Sequence, residues 1–301
     1  MDSSAIVSTP VFYGKRAWPG CPSKKQDWGY LESLIHYIAK YPSSAKVYQK
    51  MIQSCKYFFE KNPVLVASQL QAHEENVKCD ICLNEADECN KGKCCVKNDI
   101  AKASSKIWLC DELGISDDAE NFIPVLCSKL YRCEINHLKI WNKVIMFDDF
   151  QIFTSSAKEI MLSKNSVTYN DGKPVMLDKI LECFHSVTEF DFTFDDYDVS
   201  MVNVSTMKNI MKLKNLGKME GFGLYNLPES LSIEDISAFF KKFEHVNIVL
   251  RFNKNISVDY KNHLDALIDE IIESGAPNRY IGYDGQDEEK SEIMTNRWYV
   301  Q

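Results

Sequence analysis

In the C-terminal half of this chain, an apolar face with helical spacing is followed by a short alternating segment, and the pair recurs at a loosely constant length. The helical faces are Leu177, Ile180, Leu181 and Phe184; Met207, Ile210 and Met211; Ile233, Ile236, Phe239, Phe240 and Phe243; and Leu264, Leu267, Ile268, Ile271 and Ile272. The alternating segments are Phe190-x-Phe192-x-Phe194, Phe222-x-Leu224, Val246-x-Ile248-x-Leu250 and one around Tyr280-Ile281, with an earlier strand at Ile160-x-Leu162. Apolar residues three and four apart line one side of a helix, and alternate residues line one side of a strand. Ser232-Ile-Glu-Asp235 approximates a capping box that opens the third helix. No single helix-strand pair can bury its own apolar face, so several must stack.

The order of apolar positions sharpens this reading. Phe184, Val187, Phe190 and Phe192 are spaced 3, 3, 2, and Leu216, Met219, Phe222 and Leu224 repeat the spacing. This is a degenerate form of the leucine-rich repeat, in which the last two positions point from a short parallel strand into a continuous core. A doubly wound sheet would also alternate helix and strand. That rival lacks its phosphate loop, because neither Gly-x-Gly-x-x-Gly nor Gly-x-x-x-x-Gly-Lys-Ser/Thr lies between a strand and a helix. The expected fold class is therefore α/β: a short N-terminal helical module followed by an irregular leucine-rich-repeat-like solenoid over residues 106–301.

Upstream, residues 1–28 carry Pro10, Pro19 and Pro22 with no sustained period and read as a loosely ordered lead-in. Residues 29–70 form the helical module. Leu31, Leu34, Ile35 and Ile38 share one helix face, Pro42-Ser43-Ser44 breaks the chain, and a second helix follows. The apolar side of that second helix is Val47, Tyr48, Met51, Ile52, Cys55, Phe58 and Phe59, and it ends at Asn62-Pro63. Residues 71–105 are polar and cysteine-rich and read as an inserted loop, with sheet-like character starting at Ile107-Trp108-Leu109.

The net charge of −8 argues against a nucleic-acid partner, since a phosphate-binding face needs clustered Lys and Arg. Acidic residues cluster at Asp191, Asp195, Asp196 and Asp198 and from Asp284 to Glu292. They read either as solvated loop acid or as a docking surface for a basic partner. No apolar run approaches the ~18 residues of a membrane span, and the N-terminus lacks a secretory pattern. Eleven cysteines are spread through the chain, several within apparent helices and strands, which suits reduced thiols in cytoplasm or nucleus.

One constellation has ligand-like spacing. Cys79-x-x-Cys82, with Cys89 and either Cys94 or Cys95, could supply four thiolates to a structural zinc; the same residues also read as reduced loop thiols or a redox pair. No catalytic frame is present. The six histidines form no His-Glu-x-x-His, no Gly-x-Ser-x-Gly elbow occurs, and pairs such as Asp148-Asp149 are merely adjacent. The expectation is a non-enzyme without a cofactor.

The segment from Ser33 to Pro63, SLIHYIAKYPSSAKVYQKMIQSCKYFFEKNP, resembles a divergent F-box. With the downstream KIWLCDEL, FDDFQIFTSSAKEIML, SMVNVSTMKNIMKL and LDALIDEIIES, it resembles an expanded group of nematode F-box-like proteins with leucine-rich-repeat-like tails. The resemblance implies a substrate receptor of an SCF-type ubiquitin ligase: the head docks a Skp1-like adaptor and the tail captures a substrate protein. It further implies that Leu31, Leu34, Ile35, Ile38, Val47, Tyr48, Met51 and Ile52 contact the adaptor. The same side chains would equally serve a terminal cap on the repeats, and a repeat-based scaffold or inhibitor with no ligase connection is the alternative function.

Overall fold

The computed structural model describes residues 27–73, 78–82 and 95–299. Among these residues, ten helices and thirteen strands form an α/β protein around a mixed eleven-stranded sheet that does not close into a barrel.

Three short helices come first: α1 (Glu32–Lys40), α2 (Ala45–Ser54) and α3 (Lys56–Lys61). Ser44 caps α2, its hydroxyl accepting from Val47 N at 3.3 Å. The single second helix expected from periodicity is two helices, because Cys55 takes an extended conformation (φ −154°, ψ 128°) between α2 and α3. The redirected α3 buries Phe58, whose ring lies 5.5 Å from that of Trp28.

Strand β1 (Val64–Ala72) follows after only Asn62 and Pro63, so the helical part ends before residue 70. Strands β2 (Lys78–Cys82) and β3 (Cys95–Asp99) then extend the sheet as an antiparallel edge, β1-β2-β3. The stretch read as an inserted loop thus contributes two strands.

Next come β4 (Lys106–Ile115), helix α4 (Phe122–Lys129), β5 (Leu130–Cys133) and β6 (His137–Trp141). They are followed by β7 (Val144–Met146), α5 (Phe147–Thr154), β8 (Glu159–Ser163) and β9 (Ser166–Thr168). The chain continues through α6 (Leu177–Glu182), β10 (Glu189–Thr193), α7 (Thr206–Ile210) and β11 (Gly221–Leu227). It ends with α8 (Ile233–Lys242), β12 (Asn247–Phe252), α9 (Val258–Ser274), β13 (Arg279–Gly282) and α10 (Glu288–Tyr299).

Apart from the β2-β3 edge, every pairing is parallel, and the order β1-β4-β6-β8-β10-β11-β12-β13 follows the chain; β5 pairs off the main path with β4. From β6 to β12 each strand is joined to its neighbour at both ends by backbone hydrogen bonds. At one end Asn136 O accepts from Lys158 N and Glu159 N, Lys158 O from Thr188 N and Glu189 N, and Thr188 O from Glu220 N and Gly221 N, all at 2.7–3.1 Å. At the other end the chain turns through left-handed residues, Asn142 (φ 50°), Lys164 (φ 54°) and Asn226 (φ 61°). Asparagine side chains hold these turns: buried Asn165 donates to Ile140 O at 2.7 Å and accepts from Lys143 N at 2.9 Å, and Asn226 donates to Phe194 O at 3.0 Å. Buried polar groups must be paired in this way, or their desolvation goes uncompensated.

The inward residues of β4, β6, β8, β10, β11 and β12 share one hydrophobic core with the helices. Its centre is aromatic: Phe192 is fully buried with its ring 4.6 Å from Phe194 and 6.3 Å from Phe190, and Phe222 meets Phe239 at 5.3 Å. Each such ring contributes roughly 1.5–3 kcal/mol by burial.

Candidate functional site

The helical head seats on the opposite, outward side of the sheet, at its β1-β4 part. Tyr48, Val64, Val66 and Trp108 form a separate buried cluster, flanked by Ala45, Ile52, Cys110 and Tyr131. Tyr48 reaches through it to the backbone: its hydroxyl donates to Asn62 O at 2.5 Å and accepts from Val64 N at 3.1 Å. Burial raises its pKa, so the group stays a neutral phenol. Trp108 donates its indole N–H to Glu134 at 2.8 Å and lies under the Arg132 guanidinium, 4.6 Å from the ring centre. Tyr131 donates to Lys40 O at 2.8 Å, which ties α1 to β5.

This seating divides the eight candidate adaptor residues. Ile35 and Tyr48 are 6% and 0% exposed and serve the packing of the head, so they offer no contact surface. Leu31, Leu34, Ile38 and Val47 are 77%, 45%, 41% and 40% exposed, while Met51 and Ile52 are half-buried, Ile52 against the Tyr48 cluster. The division follows from the width of the apolar face of α1. At ~100° per residue, its apolar side chains span roughly 200° of the helix, twice what a core-facing stripe needs. Ile35 and Ala39 are covered, and Leu31, Leu34 and Ile38 are left outside together with Tyr30, Tyr37 and Tyr41. The tyrosines add a signal that periodicity did not give; the Tyr37 and Tyr41 rings lie 5.0 Å apart, tilted by 43°, on the same exposed side. The head is also basic, with five lysines against two glutamates over residues 31–62 in a chain of net charge −8.

Of the candidate zinc ligands, Cys79, Cys82 and Cys95 are described, and Cys79 does not converge with the other two. Cys79 and Cys82 lie three apart on a regular strand, and alternate positions of a strand face opposite sides. Cys79 joins the main core with Ile81, and burial pushes its thiol up to about 12. Cys82 sits across β2-β3 from Cys95, the two sulfurs 2.8 Å apart. A Cys-x-x-Cys donates two sulfurs to one metal only from a tight turn, which this strand is not. Cys89 and Cys94 lie outside the described residues, as do residues 1–26. Among the described residues no group of three or more His, Cys, Asp or Glu could hold a metal, and no helix is long and apolar enough to cross a membrane.

The rest of the outward sheet face, from β6 to β10, carries His137, Lys139, Glu159, Met161, Glu189 and Asp191 in register. Asp191, grouped by sequence with a loop acid cluster, is a strand residue on this face. Compared with known proteins, the chain matches no family model, no curated protein and no solved structure.

Proposed function

We propose that the protein is a non-enzymatic substrate receptor of an SCF-type ubiquitin ligase, with the head docking a Skp1-like adaptor and the sheet capturing a substrate protein. The observation that carries this reading is the exposed apolar side of α1, Leu31, Leu34 and Ile38, with Val47 on α2. An apolar surface left uncovered marks an interaction site rather than a cap, since a cap would be spent on the core. The lysines around it favour an adaptor with an acidic rim, which would speed encounter. The strictly sequential parallel strands and the hydrogen-bonded turns between them support an irregular leucine-rich-repeat-like solenoid for the substrate-binding part.

The test is capture of a purified Skp1-like adaptor by the full chain. Replacing Leu34 and Val47 together by Asp should abolish capture, because unpaired carboxylates in an apolar interface cost several kcal/mol. Both positions are half-exposed, so circular dichroism should not change. Ile35 is the wrong target, since an acid there would break the head itself. Failure of the wild type to hold the adaptor would refute the ligase reading and favour a scaffold or inhibitor.

A further inference from the structure

The outward sheet face holds charges that the fold does not neutralise. Parallel register sets Glu159 directly across from Glu189, and Glu189 across from Gly221, with Glu220 beside it. Like charges opposite one another on adjacent strands destabilise a sheet. Neighbouring acids on the same face have partners: Glu112 accepts from Lys139 at 2.9 Å and Gln71 at 3.1 Å, and His137 bonds Glu159 at 2.9 Å. Among the described residues neither Glu189 nor Asp191 forms a salt bridge. The Glu189 carboxyl is held above its ordinary range, first by burial and then by Glu159, Asp191 and Glu220, with His137 opposing. Asp191 is raised by burial, with a bond from the Tyr225 hydroxyl opposing.

The glycines of β11 shape the surface around these acids. A Cβ at Gly223 would lie 2.0 Å from Asp191 Oδ1 and 2.8 Å from the Tyr225 ring, so any larger residue there would push that carboxylate and that ring from their places over β11. With Gly221 beside Glu189, no side chain stands up between the two acids and Tyr225. The result is an acidic floor next to an aromatic ring, with Glu189 exposed and Asp191 and Tyr225 half-buried.

We infer that this face binds a lysine- or arginine-bearing segment of a partner protein, one cationic side chain seating over Glu189 and Asp191 with its stem against Tyr225. The inference rests on the reading above that the sheet is the capture surface, and it names the chemistry captured. An incoming cation relieves the Glu159-Glu189 repulsion and supplies the salt bridge that Glu189 and Asp191 lack among the described residues. A partner of negative charge, nucleic acid included, is repelled by the same groups.

The experiment uses the full chain with fluorescein-labelled oligolysine and oligoglutamate peptides, read by fluorescence anisotropy at low and physiological salt. Oligolysine should bind, more weakly at higher salt, and oligoglutamate should not. Glu189→Gln with Asp191→Asn should weaken oligolysine binding about tenfold or more. Glu288→Gln with Glu289→Gln, which removes the same charge from the exposed start of α10, should leave it unchanged. Equal losses in the two double variants would reduce the binding to bulk charge and overturn the inference, as would undiminished binding by the first. Removing the repulsion should hold or raise the melting temperature; should the first pair melt lower, Glu189→Gln alone decides by the same criterion. Leu34→Asp with Val47→Asp must leave peptide binding intact. A wild type that captures the adaptor and ignores oligolysine overturns this inference while the docking reading stands.

Discussion

Tyr48→Phe is the smallest change that tests how the head is fastened to the sheet. The ring would still fill its fully buried place against Trp108, with ring centres 6.4 Å apart, so no cavity forms. What is lost is the hydroxyl that accepts from Val64 N at 3.1 Å and donates to Asn62 O at 2.5 Å. Val64 is 2% exposed, so its N–H is stranded without water, at a cost of about 1–3 kcal/mol. Asn62 is only half-buried and its carbonyl can be rehydrated, adding little. Urea denaturation should show that loss, and the Val64 amide should exchange faster with solvent. Tyr48→Ala should cost more, about 3–5 kcal/mol, because it also opens a cavity. A loss below about 0.5 kcal/mol for the Phe variant, with the Val64 amide still protected, would refute the clamp.

Phe192→Ala should cost about 3–5 kcal/mol and Thr193→Ala less than about 0.5 kcal/mol by denaturation, since one side chain points into the aromatic core and the other away from it. Similar small losses at both would mean that β10 is not packed as described. Because the folded-state pKa of Glu189 is raised, wild-type stability should rise relative to Glu189→Gln as pH falls through that raised value toward the ordinary carboxylate range, and parallel stability curves would contradict the raised pKa. Metal analysis of chelator-free protein should give well under one zinc per chain, since Cys79 and Cys82 face opposite sides of β2; a stoichiometric metal lost on Cys79→Ser with Cys82→Ser would refute this.

The strands that were legible in the sequence are those with unbroken alternation and large aromatics, β10 above all, where Phe190 and Phe192 both point inward. Strand β1 escaped because a register shift between Ala67 and Gln69 switches its inward set from Leu65 and Ala67 to Leu70 and Ala72, which erases the period of two. Before the shift its other side, Val64 and Val66, is also buried, under the head, so no polar row betrays it. Strands β2 and β3 carry lysines, aspartates and cysteines because they form the sheet edge, and that composition reads as loop. The break at Cys55 was invisible because apolar spacing continues through it. In the head, periodicity identified the apolar side chains but not which of them stay uncovered. That depends on Trp108 and Tyr131, which lie far along the chain and reach α1 and α2 only through the sheet.

The two-residue connection from α3 to β1 leaves no swivel in this molecule. Tyr48 grips the carbonyl on one side of Pro63 and the amide on the other, so the one place where a hinge would sit is bolted. The exposed stripe of α1 and the acidic floor beyond β6 therefore belong to one stiff lever. Under the proposed function, whatever each surface holds would be presented to the other at a set distance and angle, and a lysine on a captured protein would come within reach of a ligase only through motion in the partners.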